Sequence, residues 1–130
     1  GSVRPQIVAG DLDADALARA RRNAERAGVA DHITFLHAEW AQQNVPAADD
    51  GCVVCNPPWG VRLGGLSAAR RSVERLAAVI RRRSPGWRFA AVVPERALAQ
   101  LLPLRSPHIE QLEAGGTPVW LVSGRVESSR

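Results

Sequence analysis

The sequence contains no lysine. All 17 of its basic residues are arginine, an imbalance that reads as codon composition. It also has no apolar run approaching the roughly 18 residues that a membrane-spanning helix needs, so no membrane span is expected. Cysteine is scarce, with Cys52 and Cys55 forming a single C-x-x-C. A structural zinc site needs a second pair of ligands. His37 lies nearby in sequence, but no such pair is present, and no metal is expected. The two cysteines fall on a predicted strand, where residues three apart face opposite sides, which argues against a disulfide between them. They read as two small buried strand residues. No secretory leader is visible at the start, where Gly1-Ser2 reads as a cloning scar. There is no internal repeat and no low-complexity linker.

What is present suits one domain. The chain has 130 residues, 45% of them hydrophobic, enough for a packed core. The net charge of +4 and the pI of about 10.8 are compatible with a nucleic-acid partner.

The run Cys52-Val53-Val54-Cys55 is short and partly β-branched, with Asp49-Asp50-Gly51 before it and Asn56-Pro57-Pro58-Trp59-Gly60 after it. That predicts a buried parallel strand. Asn56 then sits at its carboxyl end, where open α/β sheets place their ligands. Two consecutive prolines stiffen the loop and bias Asn56 towards extended backbone. The Asn56 side-chain oxygen and the Pro57 carbonyl can both accept from an amino group, and Trp59 can stack on a ring. This set suits the holding of a planar group that carries an amino nitrogen. The alternative on these residues alone is an Asn-Pro-Pro turn with a half-buried tryptophan.

Around that stretch the chain alternates. Gln6 to Gly10 predicts a strand ending at Asp11. Asp13 then caps a helix over Ala14 to Ala27, with Gly28 after it. Ile33 to Ala38 predicts a second strand, closed by Glu39-Trp40, and Gln42 to Gly51 a polar loop. After the Asn-Pro-Pro loop, a Gly-rich stretch from Val61 to Leu66 precedes a helix from about Ser67 to Arg83. Trp87 to Val93 predicts a strand, Glu95 to Leu102 a short helix, and Ile109 to Ala114 with Val119 to Val126 a closing hairpin about Gly115-Gly116. Alternating strands and helices imply an α/β fold with a mostly parallel sheet.

Four of these pieces together carry a resemblance: Asp11 at a strand end, the helix Asp13 to Gly28, Glu39-Trp40 at the next strand end, and Asn56-Pro57-Pro58-Trp59-Gly60-x-Arg62-Leu63 at the third. Their order and spacing resemble the Rossmann-like S-adenosylmethionine-dependent methyltransferases that modify exocyclic amino groups. The Gly-x-Arg-Leu continuation is most similar to the RNA guanine-N2 branch, whose members often carry a THUMP RNA-binding domain; no such domain is seen here. The resemblance covers about residues 6 to 126.

The resemblance implies S-adenosylmethionine as cofactor, transfer or ribosomal RNA as substrate, and a cytoplasmic setting. It implies that Asp11 accepts from the ribose hydroxyls, that Leu12 packs under the adenine and that Glu39 accepts from the adenine amino group. Trp40 either covers the adenine or belongs to the core. Asn56, Pro57, Pro58 and Trp59 form the catalytic loop, with Asn56 also beside the cofactor and Trp59 on the target base. Arg62 pairs with a phosphate or the base, or is a surface arginine. Asn23 is a recurrent family position whose role here reads as helix-face packing. His37 and Glu95 read as a strand residue and a first-turn residue.

The family pattern begins earlier than Gln6, with a strand, a Gly-rich turn and a helix; neither Gly64-Gly65 nor Gly115-Gly116 stands in for that turn. The expectation is therefore a partial Rossmann-like sheet in which that first, central strand and its turn are absent. Residues 1–5 read as tag or linker, 6–126 as the carboxyl-terminal part of a methyltransferase domain and 127–130 as a tail. Two open apolar strand edges would then need the amino-terminal segment or a second copy to cover them. Cofactor binding by this chain alone is expected to be weak or absent, and the chain alone to be inactive. Two other readings share the pattern. One is amino methylation of adenine N6 or of protein glutamine. The other is a non-catalytic nucleic-acid-binding remnant, which would bind RNA in a salt-dependent way without binding cofactor.

Overall fold

The computed structural model of the chain describes residues 6–38, 50–56 and 61–128, with backbone alone for 61–64 and 66. It divides into two compact units, Gly1–Ala47 and Ala48–Arg130.

In the first unit a strand β1 (Ile7–Asp11) leads to a helix α1 (Ala14–Ala27), a 3-10 turn (Ala30–His32) and a strand β2 (Ile33–His37). The strands pair in parallel, from Ile7 beside Ile33 to Asp11 beside His37. Parallel neighbours need a crossover, and α1 supplies it. Asp13 starts that helix as its N-cap, in extended backbone, with its carboxylate accepting from the Asp15 N–H. Gly28 ends it at φ 76°, a left-handed conformation that a side chain would strain. Ala24 is buried, and Ala16 and Leu17 are half-buried. The Arg21 guanidinium lies 5.0 Å from the Phe35 ring centroid, so this arginine covers β2. Asn23, expected to pack, is instead exposed, and its Oδ1 accepts from Arg26 Nη2 at 2.6 Å. Its position on the solvent arc of α1 overrides the packing role.

The second unit runs β3 (Cys52–Cys55), α2 (Val61–Arg83), β4 (Arg88–Val93), a 3-10 segment (Arg96–Leu101), β5 (Leu104–Ala114) and β6 (Thr117–Val126). The strand order is β3-β4-β6-β5. β3 and β4 are parallel, while β6 runs antiparallel to both β4 and β5. The hairpin thus docks through its second strand and leaves β5 at the edge. Gly115 and Gly116, at φ 58° and 82°, make the tight turn that two positive φ values require. The fold is α/β with mixed pairing.

The core of the second unit gathers one face of this sheet and one stripe of α2. Phe89, Ala91 and Val93 of β4 are buried, with Val53 in register beside Phe89 and Val122 opposite Ala91. The α2 stripe is Ala69, Val73, Leu76, Ala77 and Ile80, whose spacing keeps one helix face inward. Each large side chain so buried contributes about 1.5–3 kcal/mol. On the other face of the sheet Cys52, expected to be buried, is instead exposed, and Val54 is 76% exposed. Among the described residues β1 pairs only with β2 and β3 only with β4, so each has a second edge without a described partner.

α2 differs from the expected helix at its start. It begins at Val61 and is interrupted at Gly65 (φ 62°, ψ −155°). The Gly-rich stretch is a short helical turn followed by a break, with the regular helix beyond it. β5 also begins earlier than Ile109. Pro107 and a register shift between Arg105 and His108 interrupt the alternation that would have marked its first residues. Among the described residues no helix is long and apolar enough to cross a membrane.

Candidate functional site

The carboxyl end of β1 is a turn fixed by three hydrogen bonds. Asp11 Oδ1 accepts from the Asp13 N–H at 2.8 Å. Asp13 Oδ1 accepts from the Asp15 N–H at 2.9 Å and so starts α1. His37 Nε2 donates to the Leu12 carbonyl at 2.8 Å, which assigns the Nε2–H tautomer. The last contact follows from register, because His37 ends β2 beside Asp11.

The result is a carboxylate held at a strand end. Asp11 is exposed, and one of its oxygens is spent on orienting the turn. The other can accept from a hydroxyl pair, with both lone pairs available. Next to it Leu12 is 66% exposed, a large apolar side chain left facing solvent in a turn that is otherwise hydrogen-bonded. A free carboxylate oxygen beside an uncovered apolar side chain is compatible with the ribose and adenine contacts that the resemblance implies for Asp11 and Leu12.

Sequence reading took His37 as a strand residue, and the structure adds its bond to the Leu12 carbonyl. A lone histidine on a strand carries little signal by itself. The readable clue was its position, four residues into β2 as Asp11 is four residues into β1, which makes the two neighbours in a parallel pair.

In the second unit Asn56 follows β3 directly and is exposed, at the carboxyl end of a strand whose Val53 is buried. β3 is anchored at its other end. The Arg88 N–H donates to the Gly51 carbonyl at 3.0 Å, and Arg125 Nη1 reaches both the Gly86 carbonyl at 3.0 Å and Asp50 Oδ1 at 3.4 Å. The anchored strand presents Asn56 at a definite place in its unit. Arg62 lies in the first turn of α2, for which the backbone alone is described. Glu39, Trp40, Pro57, Pro58 and Trp59 lie outside the described residues. Asp11 and Leu12 are brought together in the first unit; Asn56 belongs to the second.

Two thiols flank the Asn56 strand. Burial pushes the Cys55 thiol up to about 11, so it stays protonated and unreactive near neutrality. Cys52 is exposed. Among the described residues no group of three or more His, Cys, Asp or Glu side chains could hold a metal ion.

Comparison with known proteins bears on the fold and the family. The chain is 32% identical over 118 residues to a ribosomal RNA large subunit methyltransferase K/L of Allochromatium vinosum, covering 90% of this chain and 16% of that protein. The chain thus spans about one sixth of the length of this curated relative. Among solved structures, TrmN from Thermus thermophilus is similar at TM-score 0.68 and 30% identity, over 92% of this chain and 36% of that one. SMU.472, a putative methyltransferase complexed with SAH, superposes at TM-score 0.78 over 99% of this chain and 33% of that one. At 18% identity this second likeness shows the Rossmann-like methyltransferase fold. The UPF0020 family model, described as the RMKL-like methyltransferase domain, matches residues 2–118. The chain therefore belongs to the UPF0020 family of RMKL-like methyltransferase domains.

Proposed function

We propose that this chain is part of an S-adenosylmethionine-dependent enzyme that methylates an exocyclic amino group in RNA, with guanine N2 of ribosomal or transfer RNA as the target class. The observation that carries the reading is the Asn-Pro-Pro-Trp loop placed directly after β3, within a chain matched by the methyltransferase family model over residues 2–118. The relative named above as a ribosomal RNA large subunit methyltransferase supports an RNA substrate. In this reading residues 6–126 are the carboxyl-terminal part of the methyltransferase domain. A further strand or a second copy covers the open edges of β1 and β3. The enzyme acts in the cytoplasm.

When bound, S-adenosylmethionine supplies an electrophilic methyl group on a sulfonium. Asp11 would hold the ribose hydroxyls through its outer oxygen, and Leu12 would support the adenine. Glu39 would accept from the adenine amino group, and Trp40 would cover the ring or belong to the core. At the target, the Asn56 side-chain oxygen and the Pro57 carbonyl would accept hydrogen bonds from both N–H groups of the amino group. An aryl amine is a poor nucleophile because its lone pair is delocalised into the ring. Two such acceptors favour a more tetrahedral nitrogen with its lone pair free for in-line attack. Positioning of this kind can supply roughly 7–11 kcal/mol in favourable cases. Pro58 keeps the loop stiff. Trp59 stacks on the target base and offsets part of the few kcal/mol that unstacking costs. Arg62 pairs with a neighbouring phosphate. A strong general base is unnecessary, because the methylated nitrogen is acidic until it loses its proton.

The test is transfer of a labelled methyl group to RNA, duplex DNA and protein, using this chain and a form extended upstream through a Gly-rich turn. The expected product is N2-methylguanosine in RNA, made by the extended form and lost in Asn56→Ala. Label in DNA or protein alone would replace RNA as the substrate.

A further inference from the structure

The arginines of α2 are unevenly arranged, and their arrangement differs from that of α1. Between Val61 and Arg83 there are seven arginines and one acid, Glu74, a net charge of +6. The whole chain carries +4, so the remainder sums to −2. The positive charge of this protein is therefore concentrated in one helix.

Within α2 the charges have a direction. The buried stripe Ala69, Val73, Leu76, Ala77, Val79 and Ile80 defines the inner face. At 100° per residue, Arg71, Arg75 and Arg82 fall within about 40° of one another on the solvent side, about 150° from the centre of that stripe. All three residues are exposed. No acidic residue shares this arc. Glu74 stands to one side, where its Oε2 lies 3.5 Å from Arg70 Nε. Helix-end electrostatics account for Arg81, Arg82 and Arg83 in the last turn. They do not account for Arg71 and Arg75, which are mid-helix. On α1 the pattern is different: Asp15 and Glu25 share the helix with its four arginines.

We infer that one side of the solvent face of α2, carried by Arg71, Arg75 and Arg82, is a phosphate-binding track for the RNA strand that flanks the target nucleotide. The inference rests on the RNA reading above and extends it from the loop to the helix that follows. Three features support it. The helix leaves directly from the Asn-Pro-Pro-Trp-Gly loop, so a strand with one base held there has its neighbouring phosphates near α2. The three guanidinium groups span about 16 Å along the axis, the length of a few nucleotides of extended backbone. Guanidinium forks match phosphate oxygens in charge and geometry.

The test is fluorescence anisotropy of this chain with a labelled single-stranded RNA of about 20 nucleotides, over a range of salt. The variant is Arg71→Gln/Arg75→Gln/Arg82→Gln. The control, Arg19→Gln/Arg22→Gln/Arg26→Gln, removes the same charge from α1. Each lost phosphate contact reduces the slope of log K against log salt by about 0.7 for a single strand. The α2 variant should therefore flatten the slope by about 2 and weaken binding about tenfold to a hundredfold near 0.1 M salt, and the control should change both far less. Equal effects of the two triples would mean that bulk charge alone is felt and would overturn the inference. So would an unchanged slope in the α2 variant, or no RNA binding by the parent chain. Equal competition by an acidic polyglutamate peptide would assign the track to a protein partner and overturn it as well. Circular dichroism melts confirm that both triples are folded. Calorimetry with S-adenosylhomocysteine on a form extended upstream through a Gly-rich turn reports separately on the methyltransferase reading: no cofactor binding by that form, with the α2 effect retained, would sink that reading alone.

Discussion

Replacing Gly51 by alanine puts a methyl group where the Trp87 indole already lies. A Cβ built on Gly51 would sit 2.4 Å from ring atoms Cδ2 and Cε3 and 2.5 Å from Cζ3. Carbon atoms pack best at about 3.5–4.0 Å, so the ring must retreat by about 1 Å. It has little room to do so. Trp87 is only 8% exposed, and its backbone is held on both sides, its N–H donating to the Ser84 carbonyl and its carbonyl accepting from the Val126 N–H. Gly51 has no left-handed φ, so its small size is needed for space and not for backbone freedom. Without the clash, alanine would stabilise the chain by about 0.4–1 kcal/mol through the unfolded state. Overpacking of this kind costs about 1–3 kcal/mol, and it decides the sign. Urea unfolding of Gly51→Ala should therefore show a lower midpoint at constant slope, a loss of about 1–2 kcal/mol. Trimming the ring in Gly51→Ala/Trp87→Leu should recover part of the loss, giving a coupling of about 1 kcal/mol. An alanine variant as stable as the parent, or a strictly additive pair, would refute the reasoning. The site is involved too, because the Gly51 carbonyl begins the ladder that carries Asn56 at the far end of β3.

Four further outcomes are expected. Phe89→Ala, at a residue 2% exposed, should cost about 3–5 kcal/mol in the same unfolding assay. The Cys55 thiol is raised from 9.0 to about 11, so the folded chain holds this proton more tightly than the unfolded chain. Its contribution of about 2–3 kcal/mol is complete below about pH 9 and is lost as pH rises through 11; stability against pH should lose that step in Cys55→Ala. In a cofactor-binding form of the protein, His37→Ala releases the Leu12 carbonyl and should weaken S-adenosylhomocysteine binding about threefold to tenfold. Asp11→Asn should weaken it more, about tenfold to a hundredfold, because a charged acceptor is lost.

Much of the fold was legible because local signals agreed with one another. Asp13 and Gly28 bounded α1 at the residues where the structure bounds it, since a side-chain cap and a left-handed glycine are local events. The run from Cys52 to Cys55 was a strand as read, flanked by turn residues on both sides. What was hidden depended on partners far away in sequence. The first residues of β5 are paired only because β6 returns beside them, and a bulge breaks their alternation. The link from His37 to Leu12 spans 25 residues and exists only once β1 and β2 are in register. The clearance at Gly51 depends on a ring from a separate strand connection. At the site, Asp11 and Asn56 were identifiable because each ends an apolar run, and both stand at strand ends in the structure. The solvent face of α2 needed the buried stripe to be known before its arginines could be assigned a direction.

The central claim is that Asp11 and Leu12 hold the cofactor of a methyltransferase. Calorimetric titration of S-adenosylhomocysteine tests it most directly, comparing this chain with a form extended upstream through a Gly-rich turn. The account predicts binding by the extended form, weak or absent binding by this chain, and loss of binding on Asp11→Ala. Absence of binding by both forms, or full binding retained by Asp11→Ala, would contradict it.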